Sequence, residues 1–145
     1  MPDALTVARA ALHMWEEPCL SGTNGAGTVF FSGCTLGCVF CQNGQISHEN
    51  YGKVVTEDRL YEIFAGLAAQ GAHNIELVTP TQFTHILSRV LERPVPGGLP
   101  VVWNSGGYES LSALRTLEGK VDIYLPDLKY VTPEKGARYS AAADY

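Results

Sequence analysis

The chain has 145 residues, 46% of them hydrophobic and 17% charged, the composition of one globular domain with a real core and not of a disordered segment. It is too short for a closed eight-fold β/α barrel, which takes about 250 residues. The net charge of -5 and only 10 scattered Lys and Arg give no basic stripe for nucleic-acid phosphates, and no apolar run reaches the roughly 18 residues of a membrane span.

The spacing of Leu5, Ala8, Leu12 and Trp15 predicts a helix over residues 3–17 with one apolar face, ended by Pro18. Residues 18–27, rich in Gly, Ser, Thr and Asn, read as a loop. Helix and loop over 1–27 are set apart from a core over 28–145. Thr28-Val-Phe-Phe31 is a β-branched and aromatic run, a buried strand, and a cysteine segment from Gly33 to Asn43 follows it directly. Thr56 to Gln70 reads as a helix, with Thr56 at the N-cap, Leu60, Ile63, Phe64 and Leu67 on the apolar face, and Gly71 just past the end. Residues 74–79 (NIELVT) read as a strand, and Phe83, Ile86, Leu87, Val90 and Leu91 mark a helix over 82–92. A Pro/Gly turn over 94–100 leads to Val101-Val102-Trp103, a strand that ends in Asn104-Ser105-Gly106-Gly107. Ser110 to Leu117 is a helix, Val121 to Leu125 a fourth strand, and Pro133 to Tyr139 begins another helix behind Thr132. This alternation predicts an α/β fold with a parallel sheet, and doubly wound and barrel-like arrangements both satisfy it.

The N-terminus lacks a basic segment followed by an apolar core, so the chain reads as cytoplasmic, where thiols stay reduced. Three of the four cysteines, Cys34, Cys38 and Cys41, lie within eight residues, which points to metal binding and not to a disulfide framework. Structural zinc and a standard cubane cluster each take four protein ligands, so CxxxCxxC leaves one coordination position open. The segment begins where a strand stops, and parallel α/β folds gather functional residues there. Gly33 and Gly37 let the backbone wrap tightly. Other readings of the same thiols are a zinc knuckle completed by His48, a fourth ligand from Cys19, and inert buried cysteines.

Two later strand ends are polar. Ile123, Leu125, Asp127 and Lys129 alternate onto one face, with charge only at the C-terminal end, where a buried strand needs a partner or a ligand. An exposed strand end with a surface ion pair is the plainer reading. Asn104 and Ser105 also follow a strand, where an ordinary turn into the next helix is the alternative. His13, His73 and His85 read as structural or surface residues. Gly22 to Gly27 precedes a strand and does not link strand to helix, so it is no phosphate loop.

CxxxCxxC with Phe40 before its last cysteine resembles the signature of the radical S-adenosylmethionine enzymes. The run from Glu17 to Cys34, with Gly71-Ala-His-Asn-Ile, Leu77-Val-Thr-Pro-Thr81, Asn104-Ser-Gly-Gly-Tyr-Glu109 and Val121-Asp-Ile-Tyr-Leu-Pro-Asp127, is similar to a subgroup related to pyruvate formate-lyase activating enzymes, the PflX-like iron-sulfur proteins. The resemblance implies that Cys34, Cys38 and Cys41 each bind one iron of a 4Fe-4S cluster. S-adenosylmethionine chelates the fourth iron and is cleaved reductively to a 5′-deoxyadenosyl radical. It places Phe40 near the adenine and Asn104, Ser105, Asp127 and Lys129 on the cofactor side. Many relatives carry Gly-Gly-Glu-Pro after the second strand. Here Val78-Thr-Pro-Thr81 stands there, which leaves the amino-group contacts to Thr79 or Thr81. The implied partners are an electron donor such as flavodoxin or ferredoxin and a glycyl-radical enzyme to be activated. A radical enzyme acting on a small molecule or peptide, a non-catalytic iron-sulfur or zinc module, and an inactive fragment are the competing readings. The implied fold is a partial (β/α)6 TIM-like barrel, of which this chain holds about four βα units and is C-terminally incomplete.

Overall fold

A computed structural model describes residues 2–145. Six strands form one mixed sheet: β1 (Leu5–His13), β2 (Ala26–Phe31), β3 (Lys53–Val55), β4 (Ile75–Val78), β5 (Val101–Ser105) and β6 (Ile123–Pro126). The helices are α1 (Pro18–Ser21), α2 (Gly44–Ser47), α3 (Glu57–Ala69), α4 (Thr84–Val90), α5 (Leu111–Thr116) and α6 (Pro133–Ser140). The sheet order is β3-β1-β2-β4-β5-β6. β2, β4, β5 and β6 are parallel, whereas β1 runs antiparallel to both β2 and β3.

The parallel half follows from local signals. Thr56 caps α3 by accepting the Arg59 N–H at 3.0 Å, and Ser110 caps α5 by accepting the Ala113 N–H at 3.2 Å, each satisfying a donor that a helix start leaves free. Side chains alternate across each strand. Val29, Phe31, Ile75, Leu77, Val101 and Trp103 bury against Leu60, Phe64, Leu67, Leu87 and Val90 of α3 and α4. The intervening residues, Thr28, Phe30, Glu76, Val78, Val102 and Asn104, form the opposite face. That second face carries the candidate site at its C-terminal end.

The N-terminal segment corrects two expectations. Residues 3–17 do not form a helix: Leu5 and Val7 are buried as alternate residues of β1, while Trp15 is 89% exposed. Antiparallel pairing with β2, from Val7 opposite Phe31 to His13 opposite Ala26, outweighs the helical spacing. The partial (β/α)6 barrel is not the fold either. β1 occupies the free edge of β2 in the antiparallel sense and β3 extends that edge further. The result is an open mixed α/β sheet with a leading antiparallel unit. Among the described residues no helix is long and apolar enough to cross a membrane.

Candidate metal centre

The parallel strands end at one edge of the sheet, and the segments leaving them enclose a cavity of about 470 Å3. β2 contributes Cys34, Cys38, Phe40 and Cys41 from the loop that follows it. β4 contributes Thr79, β5 contributes Asn104 and Ser105, and β6 contributes Asp127 and Lys129. Nine of the residues singled out from sequence therefore line one space. Cys19 lies on α1 before β2 and lines none of it, and His48 is exposed beyond α2. Thr81 turns to Glu109, donating from Oγ1 to Oε1 at 2.6 Å.

The cysteine loop is held at several points. Gly33 N–H donates to the Ile46 carbonyl at 2.9 Å, and Gly37 and Val39 N–H donate to the carbonyls of Ser140 and Tyr139 at 3.0 and 2.9 Å. The buried Gln82 side-chain amide lies 3.0, 2.9 and 2.9 Å from the carbonyls of Ser32, Gly33 and Thr79. It thus ties the start of the cysteine loop to the end of β4. The sequence places Gln82 only as a polar residue beside an apolar helical stripe, and its two partners in the cysteine loop, Ser32 and Gly33, are about fifty residues away, so local pattern conceals its role.

Each sulfur meets a donor or hydroxyl. Leu36 N–H donates to Cys34 Sγ at 3.4 Å, Ser140 Oγ–H donates to Cys38 Sγ at 2.7 Å, and Cys41 Sγ lies 3.2 Å from Ser47 Oγ. Burial pushes the Cys34 thiol up. The Leu36 N–H opposes that shift, the charges of Cys38 and Cys41 add to it, and Lys129 counters it. Three thiolates lining one cavity are costly unless cations neutralise them.

That donor set fits an iron-sulfur cluster. It consists of three thiols, and the loop from Gly33 to Asn43 carries no Asp or Glu. Among the described residues no three His, Cys, Asp or Glu side chains converge as a single metal ion requires. A cluster distributes its thiolates over separate irons and does not need such convergence.

The strand ends supply polar groups of both signs. Asn104 donates from Nδ2 to Glu76 Oε1 at 2.8 Å, and its backbone carbonyl accepts Thr79 N–H at 2.9 Å. Thr79 has φ +55°, a conformation costly for a β-branched residue. Lys129 Nζ donates to Asp127 Oδ2. Burial alone would lower the Lys129 ammonium, but the hydrogen bond and charge of Asp127, with Cys38 and Tyr145, outweigh it and hold it raised. β5 and β6 approach closely here: a Cβ on Gly107, at φ +70°, would lie 2.3 Å from the Asp127 carbonyl oxygen.

Glu76 was not anticipated as part of this site. Its charge stands between Ile75 and Leu77 in an otherwise apolar strand, which is the signal that marks it. It is fully buried, and its second carboxylate oxygen has no hydrogen-bond partner. Tyr145 was also missed. Its hydroxyl accepts Lys129 N–H at 2.9 Å and sits 2.9 Å from the Gly106 and Asp127 carbonyls, pinning the two strand ends together.

Comparison with known proteins agrees with this donor set. Residues 21–124 match the family model described as a 4Fe-4S single cluster domain. The chain is also 33% identical over 141 residues to an uncharacterized protein of Methanocaldococcus jannaschii, covering 92% of this chain and 41% of that relative. It thus spans about two-fifths of the curated relative it matches. With cysteine loop, cavity and family model in agreement, the chain belongs to the 4Fe-4S single cluster domain family.

Proposed function

We propose that this chain is a radical S-adenosylmethionine enzyme module, in which Cys34, Cys38 and Cys41 hold the cluster and the strand ends hold the sulfonium cofactor. The observation that carries this reading is the meeting of a three-thiol loop and the polar ends of three further strands around one cavity of about 470 Å3. Held by Cys34, Cys38 and Cys41, the cluster would pass on one low-potential electron from an external donor, the chemistry that splits S-adenosylmethionine into methionine and a 5′-deoxyadenosyl radical. The rest is the protein's task of orientation and exclusion of water.

The residues suit the two ends of an amino acid. Lys129 presents an ammonium to a carboxylate, with Asp127 holding its head in place. Asn104 commits its amide N–H to Glu76, leaving its carbonyl Oδ1 as an acceptor for an amino group. Thr79 and Ser105 add hydroxyls at the same rim. Phe40, 57% exposed beside the cavity, offers a ring face to the adenine. A glycyl-radical enzyme is the proposed partner, with flavodoxin or ferredoxin as electron donor.

Anaerobic reconstitution with iron and sulfide is expected to give a broad visible absorption that Cys38→Ala abolishes. Reduction with dithionite in the presence of S-adenosylmethionine is expected to release 5′-deoxyadenosine. A loaded protein that releases none is a cluster-binding module, and a protein that takes up stoichiometric zinc without sulfide overturns the reading altogether. Electron paramagnetic resonance on candidate partner proteins then decides whether the radical ends on a glycine.

A further inference from the structure

The three cysteines are not equivalent. Leu36 offers Cys34 a single backbone N–H, at 3.4 Å, with no further donor behind it. Ser47, beside Cys41, also donates its hydroxyl to the Asn43 carbonyl at 3.1 Å, so its one hydrogen has a competing acceptor. Cys38 differs. It is buried, and Ser140, 1% exposed at the C-terminal end of α6, donates to its sulfur at 2.7 Å. The buried Tyr130 hydroxyl lies 2.5 Å from Ser140 Oγ. A serine hydroxyl has one hydrogen. With that hydrogen on sulfur, Tyr130 O–H donates to Ser140 Oγ, and the two bonds form a directed chain, Tyr130 to Ser140 to Cys38. Such chains polarise one another and strengthen the terminal donor, most of all away from water.

The same segment grips the loop through its backbone. Gly37 and Val39 N–H donate to the Ser140 and Tyr139 carbonyls, on either side of Cys38. The geometry is therefore that of an outer shell built for one ligand. Tyr130 is fixed in turn by edge-to-face packing on Phe40 and Tyr145, with ring centroids 6.4 and 5.2 Å away.

We infer that the Tyr130–Ser140 hydroxyl chain sets the reduction potential of the cluster through Cys38, making this thiolate the one whose electron density the protein controls. Hydrogen bonds to cluster sulfurs are among the factors that set such potentials. Reduction adds one electron, from an external low-potential donor, and makes the sulfur more negative. A donor aimed at that sulfur stabilises the reduced form more than the oxidised form and raises the potential. The proton stays on Ser140 throughout. Ser140 and Tyr130 are positioning residues, since they act only through Cys38.

This inference rests on cluster binding and not on the sulfonium cofactor, so the potential is measured without S-adenosylmethionine. Failure of the cleavage assay leaves it standing. The experiment is a reductive titration of the reconstituted full chain with dithionite, followed by electron paramagnetic resonance, with iron and sulfide measured on each sample. Tyr130→Phe, which removes one hydroxyl and keeps the ring, is expected to shift the potential to more negative values. Ser140→Ala is expected to shift it further in the same direction. The double variant is expected to match Ser140→Ala alone, because Tyr130 has no route to the sulfur once Ser140 lacks its hydroxyl. Ser47→Ala is expected to shift it less than Ser140→Ala. Tyr130→Phe titrating at the wild-type potential with full iron and sulfide overturns the inference, whether or not Ser140→Ala loads its cluster.

Discussion

Glu76 shows what a single residue contributes beneath the site. It is fully buried in β4, and burial pushes its carboxyl from 4.5 to about 7. Asn104 opposes the shift through its hydrogen bond, while Glu16 and Glu17 add to it through their negative charge. The folded chain therefore holds this proton where the unfolded chain has released it. The resulting stability is complete below pH 4.5 and is lost as the pH rises through about 7. The full loss is on the order of 3 kcal/mol. Glu76→Gln keeps an acceptor for Asn104 and cannot ionise. Urea unfolding is expected to show wild-type stability falling across this pH range and the variant nearly flat, and parallel profiles would refute the assignment. Clustered thiols and charged strand ends stand out because their chemistry is conspicuous, whereas Gln82 and Ser140 act on partners far along the chain.

Among the elements, those governed by local signals were legible. α3 was expected over 56–70 and spans Glu57–Ala69, because Thr56, its apolar face and Gly71 all lie within a few turns. β1 was misread because Leu5, Ala8 and Leu12 satisfy a helical period while Leu5 and Val7 satisfy an alternating one. The pairing of Val7 with Phe31 decides between them, and no local window contains it. β3 is too short to give a period at all. The junction of β5 and β6 yields a direct test. Gly107 and Gly119 both have positive φ, +70° and +72°, but only Gly107 faces an obstacle, the Asp127 carbonyl, while Gly119 has open space. Gly119→Ala is expected to cost about 1 kcal/mol for conformation alone. Gly107→Ala is expected to cost about 1–3 kcal/mol more, because the strand ends must part. Equal midpoints in urea would show that the close approach carries no energy.

At the scale of the whole molecule, βα alternation made the parallel half legible and left the antiparallel half hidden. The barrel was an expectation of family resemblance, and pairing at the β2 edge overturned it. That edge also defines how the cysteine segment is attached. Ser32 N–H donates to the Thr6 carbonyl at 2.9 Å, and β3 returns to pair Lys53 with Val7 and Val55 with Leu5. The segment from Ser32 to Gly52 thus leaves β1 and comes back to it, clasped on its far side by α6. Hydrogen exchange is expected to slow on loading with iron and sulfide at residues 33–47 and 136–142, while the amides of β4 and β5 keep their protection. Uniform slowing across the sheet would refute a separable unit. A strand that anchors both ends of an excursion also changes what the excursion tolerates. Its closure entropy grows only logarithmically, so doubling its length would cost about 0.6 kcal/mol. Insertions between His48 and Asn50, beyond the Ile46 and Ser47 contacts that hold the cysteine loop, would leave both the cysteine spacing and the sheet register intact, which makes this stretch the place where the rim of the site is free to diversify.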